Sequence, residues 1–284
     1  MIPAAFEYTR ARTLAEALKA LGNRDTKAVA GGQTLIPLLR FRLAAPKRLV
    51  DIGGLAQLQG IKRTPKGLRI GAGSTWRELL DSSVVKRAAP LIAEVTAHIG
   101  DRQVRNLGTI GGSLAHADPA SDIPAVLLAL DAILTAQSRR GRRSIPARKF
   151  FLGAFTTALK RDELLTEIVV PKAPGGAGSA YEMFEQAASG YALVGVAAVV
   201  ARAKGVVHHV ALAFTGLSES AFLAESANSL IGTRAAPKEI AAVLDAAVNA
   251  VEANDDMHAS SEYRLHLARV AGRRALERAL ARAK

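Results

Sequence analysis

The sequence predicts an α+β protein made of two α+β units followed by an antiparallel sheet backed by helices, and three observations support this. Short strand-like and helix-like runs alternate through the first 171 residues. A glycine-rich stretch, Pro174-Gly175-Gly176-Ala177-Gly178-Ser179, then interrupts the pattern in the manner of a linker. Beyond it, strand-like runs come first and helical runs come last. We therefore expect three units, at residues 1–60, 61–173 and 179–284.

The first two units each contain a capping box, the local signal that begins a helix. Thr13-x-x-Glu16 and Thr75-x-x-Glu78 both place a hydroxyl three residues before a glutamate. The elements predicted for the first unit are a helix after Thr13, strands at 27–30 and 49–52, and a helix within 34–43. Those predicted for the second unit are strands at 67–71, 132–138, 144–145 and 167–170, and helices after Thr75, at 90–99 and at 123–130 with Pro124 in the first turn.

The third unit is predicted as a sheet followed by helices. Its strands are expected at 180–185, 193–203 and 206–214, and its helices at 221–230, 238–254 and 260–283. The hydrophobic content of 49% over 284 residues is sufficient for a substantial core. No apolar run approaches the roughly 18 residues of a transmembrane helix, and no secretory signal pattern opens the chain. We therefore expect a cytoplasmic protein without a transmembrane segment.

The absence of cysteine excludes several kinds of chemistry from this chain. Disulfides, thiol nucleophiles and cysteine-ligated iron–sulfur or zinc sites all require it. The histidines are scattered, and the pair His208-His209 would point to opposite faces of a strand, which makes a poor chelate. We expect no metal site.

A net charge of +13 raises the hypothesis of a nucleic-acid partner. The basic residues cluster in a predicted hairpin turn, Arg139-Arg140-Gly141-Arg142-Arg143, and along the last helix. Little aromatic interleaving accompanies either cluster, which favours a solvated turn or docking onto an acidic partner protein over nucleic acid. The arginines of the last helix either complement its dipole or dock on a partner: Arg264, Arg269, Arg273, Arg274, Arg278 and Arg282.

Two glycine segments are the most informative feature of the chain. They are Ala30-Gly31-Gly32-Gln33-Thr34 and Thr109-Ile110-Gly111-Gly112-Ser113. Paired glycines allow backbone N–H groups to approach an anion, although tight turns also use glycine. Two such segments holding one diphosphate predict a dinucleotide site. It is not of the Rossmann or P-loop kind, because Gly71-Ala72-Gly73 lacks the third glycine and no GxxxxGK[ST] occurs.

The run from Ile99 to Asp122, which contains the second glycine segment, resembles the FAD-binding subunit of the molybdenum hydroxylases, the relatives of xanthine dehydrogenase and aerobic carbon monoxide dehydrogenase. The stretch from Ala30 to Pro37 matches that subunit's first glycine loop, and Ser261-Glu262-Tyr263-Arg264 resembles its C-terminal signature. The resemblance spans essentially the whole chain. It implies a vanillyl-alcohol-oxidase-like (PCMH-type) FAD-binding fold, with two α+β subdomains around FAD and a third, C-terminal domain of the carbon monoxide dehydrogenase flavoprotein type.

The resemblance also implies which residues contact FAD. The two glycine segments would hold the diphosphate through backbone N–H groups and hydroxyls, Asp122 would bond the cofactor, and Leu165 would pack or bond the flavin. Tyr191 would lie beside the isoalloxazine. One departure is the segment Tyr181-Glu182-Met183-Phe184-Glu185-Gln186, where the family often has a lysine that Met183 cannot replace. The implied set is Ala30, Gly31, Gly32, Gln33, Thr34, Thr109, Ile110, Gly111, Gly112, Ser113, Asp122, Leu165 and Tyr191, with no catalytic residue and no metal ligand.

Several of these residues have structural alternatives. Asp122 before Ile123-Pro124 has the sequence of a helix N-cap. His116 is either a loop histidine or a flavin contact. Arg105 and Asn106 either brace the loop or touch FAD. Trp76 at a helix start favours a core position.

The function that the resemblance implies is electron transfer. The chain would accept electrons from a [2Fe-2S] small subunit, in a complex whose large subunit carries the molybdenum cofactor, arranged as a dimer of heterotrimers. The acceptor remains open among NAD, quinone and oxygen, and the substrate lies on another subunit. The alternatives are a stand-alone flavin oxidase of the same fold, or a basic interaction or nucleic-acid-binding module.

Overall fold

The computed structural model describes residues 2–284, and its first unit is built around a small parallel sheet. Its elements, in chain order, are β1 (Glu7–Arg10), α1 (Leu14–Leu21), β2 (Thr26–Val29), α2 (Leu35–Arg40) and β3 (Arg48–Asp51). The sheet order is β1-β3-β2 with both pairs parallel. The predicted helix start is confirmed, since the Thr13 hydroxyl accepts from the Glu16 N–H. The Glu16 carboxylate reaches the Arg12 N–H instead of that of Thr13.

The second unit contains a five-stranded antiparallel sheet and most of the short helices. Its elements are β4 (Ile61–Thr64), β5 (Gly67–Gly71), α3 (Trp76–Asp81), α4 (Ser83–Ala88), α5 (Pro90–Thr96), α6 (Arg102–Leu107), α7 (Ile110–His116), α8 (Asp122–Ala129), β6 (Ile133–Ser138), β7 (Gly141–Pro146), β8 (Phe151–Gly153), β9 (Thr156–Thr157) and β10 (Leu164–Pro171). The sheet order is β4-β5-β10-β6-β7. The capping box at Thr75 and the basic hairpin between β6 and β7 are both confirmed.

The structure corrects two predictions in this unit. The second glycine segment is not a loop: Thr109 is the N-cap of α7, and its hydroxyl accepts from the Gly112 N–H. Asp122 is not an N-cap but the first residue of α8; Ser121 takes the cap position, and its hydroxyl contacts the Ser113 hydroxyl at 3.1 Å and does not cap the helix. Both errors concern where a helix begins.

The third unit is an antiparallel sheet covered by two long helices. Its elements are β11 (Gly178–Glu185), β12 (Ala192–Ala203), β13 (Val206–Thr215), β14 (Phe222–Leu223), α9 (Pro237–Asn249) and α10 (Ser261–Arg282), in sheet order β11-β12-β13-β14. The helix predicted at 221–230 is instead β14 followed by a 3-10 turn over Glu225–Leu230. The glycine-rich stretch is packed against α10, because a Cβ on Gly178 would overlap the Ala279 carbonyl and Lys284 N–H donates to Gly176 O at 2.9 Å.

Three hydrophobic clusters form the interior. One lies under the first sheet around Leu18, Val50 and Leu58. A second lies between the C-terminal sheet and the helices α9 and α10. The largest fills the second unit and also receives side chains from the opposite face of the C-terminal sheet, among them Tyr181 and Ala197. Every residue of α8 is buried, six of the eight within this cluster, and the helix also packs on β12 and β13, so it joins the second unit to the third.

Candidate functional site

A cavity of about 620 Å³ lies where the three units meet. Its wall includes twelve of the thirteen residues that the sequence nominated: Ala30, Gly31, Gly32, Gln33, Thr34, Thr109, Gly111, Gly112, Ser113, Asp122, Leu165 and Tyr191. Ile110 is the exception, because its side chain is fully buried in the core of the second unit. The two glycine segments therefore face one shared space, although they are separated by more than seventy residues of sequence.

The first glycine segment presents backbone donors to the cavity. The N–H groups of Gly31, Gly32, Gln33 and Thr34 make no hydrogen bond to any group in residues 2–284. Thr34 precedes α2, yet its hydroxyl does not cap that helix. Backbone N–H groups that lack a hydrogen-bond partner inside a protein are costly. An anion bound at this half-buried segment would supply the missing acceptors.

The glycines of this segment have separate reasons to be glycine. A Cβ on Gly31 would overlap the Leu107 carbonyl oxygen, so the first segment packs directly on the end of α6. Gly32 has a φ of +71°, a left-handed conformation that glycine adopts without strain. Gly31 therefore fixes the contact between the first two units, and Gly32 shapes the turn.

The second glycine segment uses four of its five N–H groups within the protein, contrary to the sequence-based expectation, and Thr109 N–H is the one that makes no hydrogen bond in residues 2–284. Ile110 N–H donates to Ser74 O at 3.0 Å, Gly111 N–H to Ala72 O at 2.8 Å, and Ser113 N–H to Thr109 O at 3.1 Å. Gly112 N–H donates to the Thr109 hydroxyl at 3.1 Å. What this segment offers the cavity is a surface without bulky side chains and the hydroxyls of Thr109 and Ser113. Gly111 is glycine because a Cβ would lie 2.5 Å from the Ala72 carbonyl oxygen.

Asp122 is a buried acid at the cavity wall. It is 7% exposed, and its Oδ1 accepts a hydrogen bond from the Tyr181 hydroxyl at 2.5 Å. Burial raises the pKa of Asp122 to about 6, against the lowering effect of the Tyr181 hydrogen bond, and Glu185 adds a further upward contribution. Burial and the neighbouring carboxylate raise the pKa of Tyr181 well above its usual value, so its hydroxyl is a donor at neutral pH.

Three further residues of interest line the cavity. Leu165 is buried in β10, next to a bulge in the pairing with β6. Tyr191 stands half-exposed in the cavity wall, in the turn before β12. His116 packs on the exposed Phe155, with ring centroids 5.0 Å apart, and burial lowers its pKa although Asp118 opposes the shift.

The structure also decides the alternatives for two residues near the second segment. Arg105 donates to the carbonyls of Ile99 and Gly100 at 3.0 and 2.7 Å, so it braces the turn before α6. Trp76 is 3% exposed and belongs to the core of the second unit, while its edge reaches the cavity wall. The core prediction for Trp76 is confirmed.

One residue of the cavity wall and one residue behind it have no signal in the sequence. Tyr181 belongs to the segment that departs from the family pattern, and its contact with Asp122 spans 59 residues of sequence. Arg161 lines the cavity and donates to the carbonyls of Asn23 and Gly22, which closes the first unit against the second. Neither contact has a local sequence signal, because each depends on how separate units pack.

The C-terminal signature forms an anchor rather than a ligand site. Arg264 is 4% exposed, and it donates to Leu193 O at 2.6 Å, to Gly216 O at 2.9 Å and to Asp256 at 2.7 Å. The Gly216 N–H in turn donates to Pro119 O at 2.8 Å. This chain of contacts ties α10 to the segment that leads into Asp122.

The arginines of α10 are largely paired within the chain. Arg269 pairs with Asp245 at 2.7 Å, and Arg282 pairs with Glu94 at 2.6 Å. Arg278 pairs with Glu94 and Glu182, beside Met183 in a second cavity between α5 and β11. Cationic groups thus lie beside Met183, in the segment where the resemblance suggested a missing lysine.

Two kinds of feature are not found in residues 2–284. No group of three or more His, Cys, Asp or Glu side chains is arranged to hold a metal ion. No helix in this part of the chain has the length and apolar character to cross a membrane.

The chain matches two protein families along almost its full length. Residues 4–173 match the family described as the FAD binding domain in molybdopterin dehydrogenase. Residues 179–279 match the family described as the CO dehydrogenase flavoprotein C-terminal domain. The division between the two matches falls in the glycine-rich stretch.

Individual relatives agree with these matches. The carbon monoxide dehydrogenase medium chain of Hydrogenophaga pseudoflava is 36% identical over 285 residues and covers 99% of both chains. The 6-hydroxypseudooxynicotine dehydrogenase complex subunit alpha of Paenarthrobacter nicotinovorans is 38% identical over 288 residues, covering 100% of this chain and 97% of the relative. A solved structure of carbon monoxide dehydrogenase from Hydrogenophaga pseudoflava, which lacks the Mo-pyranopterin moiety of the molybdenum cofactor, superposes with a TM-score of 0.97 at 37% identity over 100% of both chains.

Fold, cavity and similarity together define an FAD-binding subunit of an oxidoreductase. The chain belongs to the family of FAD-binding medium subunits of the carbon monoxide dehydrogenase and xanthine dehydrogenase complexes. The resemblance inferred from the two glycine segments is confirmed.

Proposed function

We propose that this chain binds FAD in the 620 Å³ cavity and takes electrons from a [2Fe-2S] partner subunit to an external acceptor. The observation that supports the proposal most strongly is the set of backbone N–H groups from Gly31 to Thr34 that have no hydrogen-bond partner in residues 2–284. They line the same cavity as Thr109 and Ser113, whose side chains carry hydroxyls. That donor set fits the diphosphate of a dinucleotide.

The residues around the cavity fit FAD in kind as well as in position. A volume of about 620 Å³ lies in the usual range for cofactor sites, and its wall mixes apolar side chains with a few polar groups. We assign the FAD contacts to the first segment (Ala30, Gly31, Gly32, Gln33, Thr34), the second segment (Thr109, Gly111, Gly112, Ser113), and Asp122, Leu165 and Tyr191. Ile110 would contribute to α7 rather than to the cofactor.

Each part of the wall has a task in this proposal. The Gly31–Thr34 segment donates to phosphoryl oxygens, and Asp122 accepts from a hydroxyl or ring N–H of the cofactor. Leu165 supplies apolar contact, and Tyr191 shields one opening of the cavity. FAD, when bound, supplies the ability to exchange electrons one or two at a time. The protein supplies binding, orientation and electrostatics.

The partners that we propose follow from what this chain lacks and from its relatives. Without cysteine the chain cannot ligate an iron–sulfur cluster, so a small subunit would carry the [2Fe-2S] centres and a large subunit the molybdenum cofactor. We propose a dimer of such heterotrimers in the cytoplasm. We also propose 1–60, 61–173 and 179–284 as the units of folding, in accord with the division between the two family matches.

The first test is direct measurement of FAD binding. The full chain, stripped of flavin and titrated with FAD, is expected to quench flavin fluorescence with a stoichiometry near one. Absence of FAD binding would exclude the proposal. Bleaching of the flavin by an organic substrate without any partner subunit would support a stand-alone oxidase instead. Steeply salt-dependent binding to DNA would support the nucleic-acid alternative.

A further inference from the structure

Tyr181 is a buried tyrosine that would not contact FAD bound in the cavity. It comes from β11 in the third unit, is 3% exposed, and does not line the 620 Å³ cavity. Its hydroxyl reaches across to α8 and donates to Asp122 Oδ1 at 2.5 Å. Any influence of Tyr181 on the cavity must therefore act through Asp122.

Gly195 determines where the Tyr181 hydroxyl lies. Gly195 sits on β12 opposite Met183, and a Cβ at this position would overlap the Tyr181 hydroxyl and lie 2.9 Å from Thr215 Cγ2. Glycine lowers strand stability, so its presence at the fourth position of a twelve-residue strand needs a reason. Room for the tyrosine hydroxyl is that reason.

The backbone around Tyr181 and Asp122 is fixed from several sides. Arg278 donates to Tyr181 O at 3.2 Å, and Tyr181 N–H donates to Glu94 at 3.4 Å. The Thr215 hydroxyl contacts the carbonyls of Pro119 and Ser121 at 2.9 and 2.7 Å, just before Asp122. Donor and acceptor are thus each held in place by contacts that do not depend on a ligand.

A carboxylate held in this way is oriented before any ligand arrives. A carboxylate has two oxygens that accept hydrogen bonds, and Tyr181 takes the Oδ1 atom. With Oδ1 held, rotation of the Asp122 carboxyl is restricted and Oδ2 keeps one orientation. Pre-orientation of this kind lowers the cost of ordering the site on binding.

We propose that Tyr181 is a positioning residue of the flavin site, which orients the Asp122 carboxylate for a donor on FAD. The inference rests on the proposed function, since it takes Asp122 to be an acceptor for the cofactor. It assigns to β11 of the third unit a role in the cavity, because the Tyr181 hydroxyl is the one side-chain hydrogen-bond donor to the Asp122 carboxyl within residues 2–284.

Protonation of Asp122 gives the proposal a distinctive signature. The titratable groups that face Asp122 are Tyr181 and Glu185 on β11 and Tyr191 before β12. The Tyr181 hydrogen bond stabilises the ionised carboxylate, so its removal extends the protonated form to higher pH. A protonated Asp122 is a weaker hydrogen-bond acceptor for a donor on FAD, so FAD binding should weaken in the same pH range.

The experiment is FAD titration of the full chain and of Tyr181→Phe between pH 6 and about pH 9. We expect the variant to bind FAD roughly tenfold more weakly at pH 7. We expect the difference in FAD affinity between the variant and the unmodified chain to become smaller as the pH rises and Asp122 ionises. A loss of packing alone would lower affinity equally at every pH.

Tyr8→Phe is the matched control. The Tyr8 hydroxyl donates to Asp51 at 2.6 Å, a tyrosine–aspartate bond of the same kind, and neither residue lines the cavity. Equal FAD affinities and pH profiles for Tyr181→Phe and Tyr8→Phe would overturn the inference while leaving the proposed function intact. Failure of the unmodified chain to bind FAD would instead refute the proposed function.

A second measurement covers the case in which Tyr181→Phe does not fold. Incorporation of 3-fluorotyrosine at position 181 alone keeps the size of the side chain and makes its hydroxyl a stronger donor. The midpoint of the pH dependence of FAD binding is then expected to shift to lower pH. An unchanged midpoint would contradict the positioning role.

Discussion

Burial makes the ionised form of the Asp122 carboxyl unfavourable in the folded chain without FAD. Burial raises the pKa of its carboxyl to about 6, above the ordinary value of 3.8. The folded state therefore holds this proton more tightly than the unfolded state does. The contribution of Asp122 to stability is most favourable below about pH 4 and declines as the pH rises to about 6, by a total of about 3 kcal/mol.

The substitution Asp122→Asn should remove this unfavourable ionisation. The amide keeps an oxygen for Tyr181 and cannot ionise, so we expect the cofactor-free chain to gain up to about 3 kcal/mol of stability at neutral pH. The decline in the free energy of unfolding between about pH 4 and about pH 6 should become smaller, and FAD binding should weaken. Urea unfolding at several pH values measures this. Asp25→Asn at an exposed position is the control, and an unchanged decline in Asp122→Asn would contradict the prediction.

For individual residues, the sequence indicated some members of the cavity wall and its supports but not others. The glycines and Asp122 could be predicted because they lie in contiguous sequence motifs. Tyr181 and Arg161 were not, because their partners lie 59 and 138 residues away. The sequence also suggested the wrong role for Gly111, whose N–H is used by Ala72. That partner is identified only when α7 is packed against the turn that follows β5.

At the scale of elements, some helix starts depend on local contacts that the sequence shows, and others depend on tertiary contacts that it does not show. The caps at Thr13 and Thr75 were predictable because donor and acceptor lie within three residues of each other. Thr109 also caps a helix, yet the glycines that follow it suggested a loop, since glycine disfavours helices. Tertiary contacts from Ser74 and Ala72 outweigh that preference. Thr34 differs from all three, because its hydroxyl caps nothing.

A crossed pair of substitutions separates these two uses of threonine. Thr34→Val should weaken FAD binding by roughly fivefold with little change in stability, since it removes a hydroxyl that faces the cavity. Thr13→Val should lower stability by about 1 kcal/mol with little change in FAD affinity, since it removes a helix cap. Flavin titration and thermal unfolding of both variants provide the comparison. Equal effects of Thr34→Val on both quantities would count against a ligand role.

On the scale of the whole molecule, internal pairing accounts for much of the basic charge of α10. Arg264, Arg269, Arg278 and Arg282 hold carboxylates or carbonyls of other elements. Their role in this chain is to attach the helix to the rest of the third unit and to α5. Sequence alone could not separate them from surface arginines, because their spacing along the helix gives no information about distant carboxylates. Arg273 and Arg274 remain on the outer face, with Arg274 5.5 Å from the centre of the Phe184 ring.

Reversal of charge at those two positions tests whether α10 docks on a partner subunit. Arg273→Glu with Arg274→Glu should reduce co-purification of the other subunits, since steering between charged surfaces depends on sign. Arg139→Glu with Arg142→Glu, in the exposed hairpin turn, makes the same change in net charge. Equal recovery of the complex with both pairs would argue against docking through α10. FAD content and thermal unfolding of the free chain verify that the variants fold.

Gly195 also has a consequence for engineering this chain. A designer who seeks greater thermal robustness would replace a glycine within a strand by alanine or valine, a choice that strand statistics favour. Here that replacement would drive the Tyr181 ring away from α8. The product would keep its sheet and lose the orientation of one carboxylate, so a screen for heat resistance alone would select variants with impaired cofactor retention.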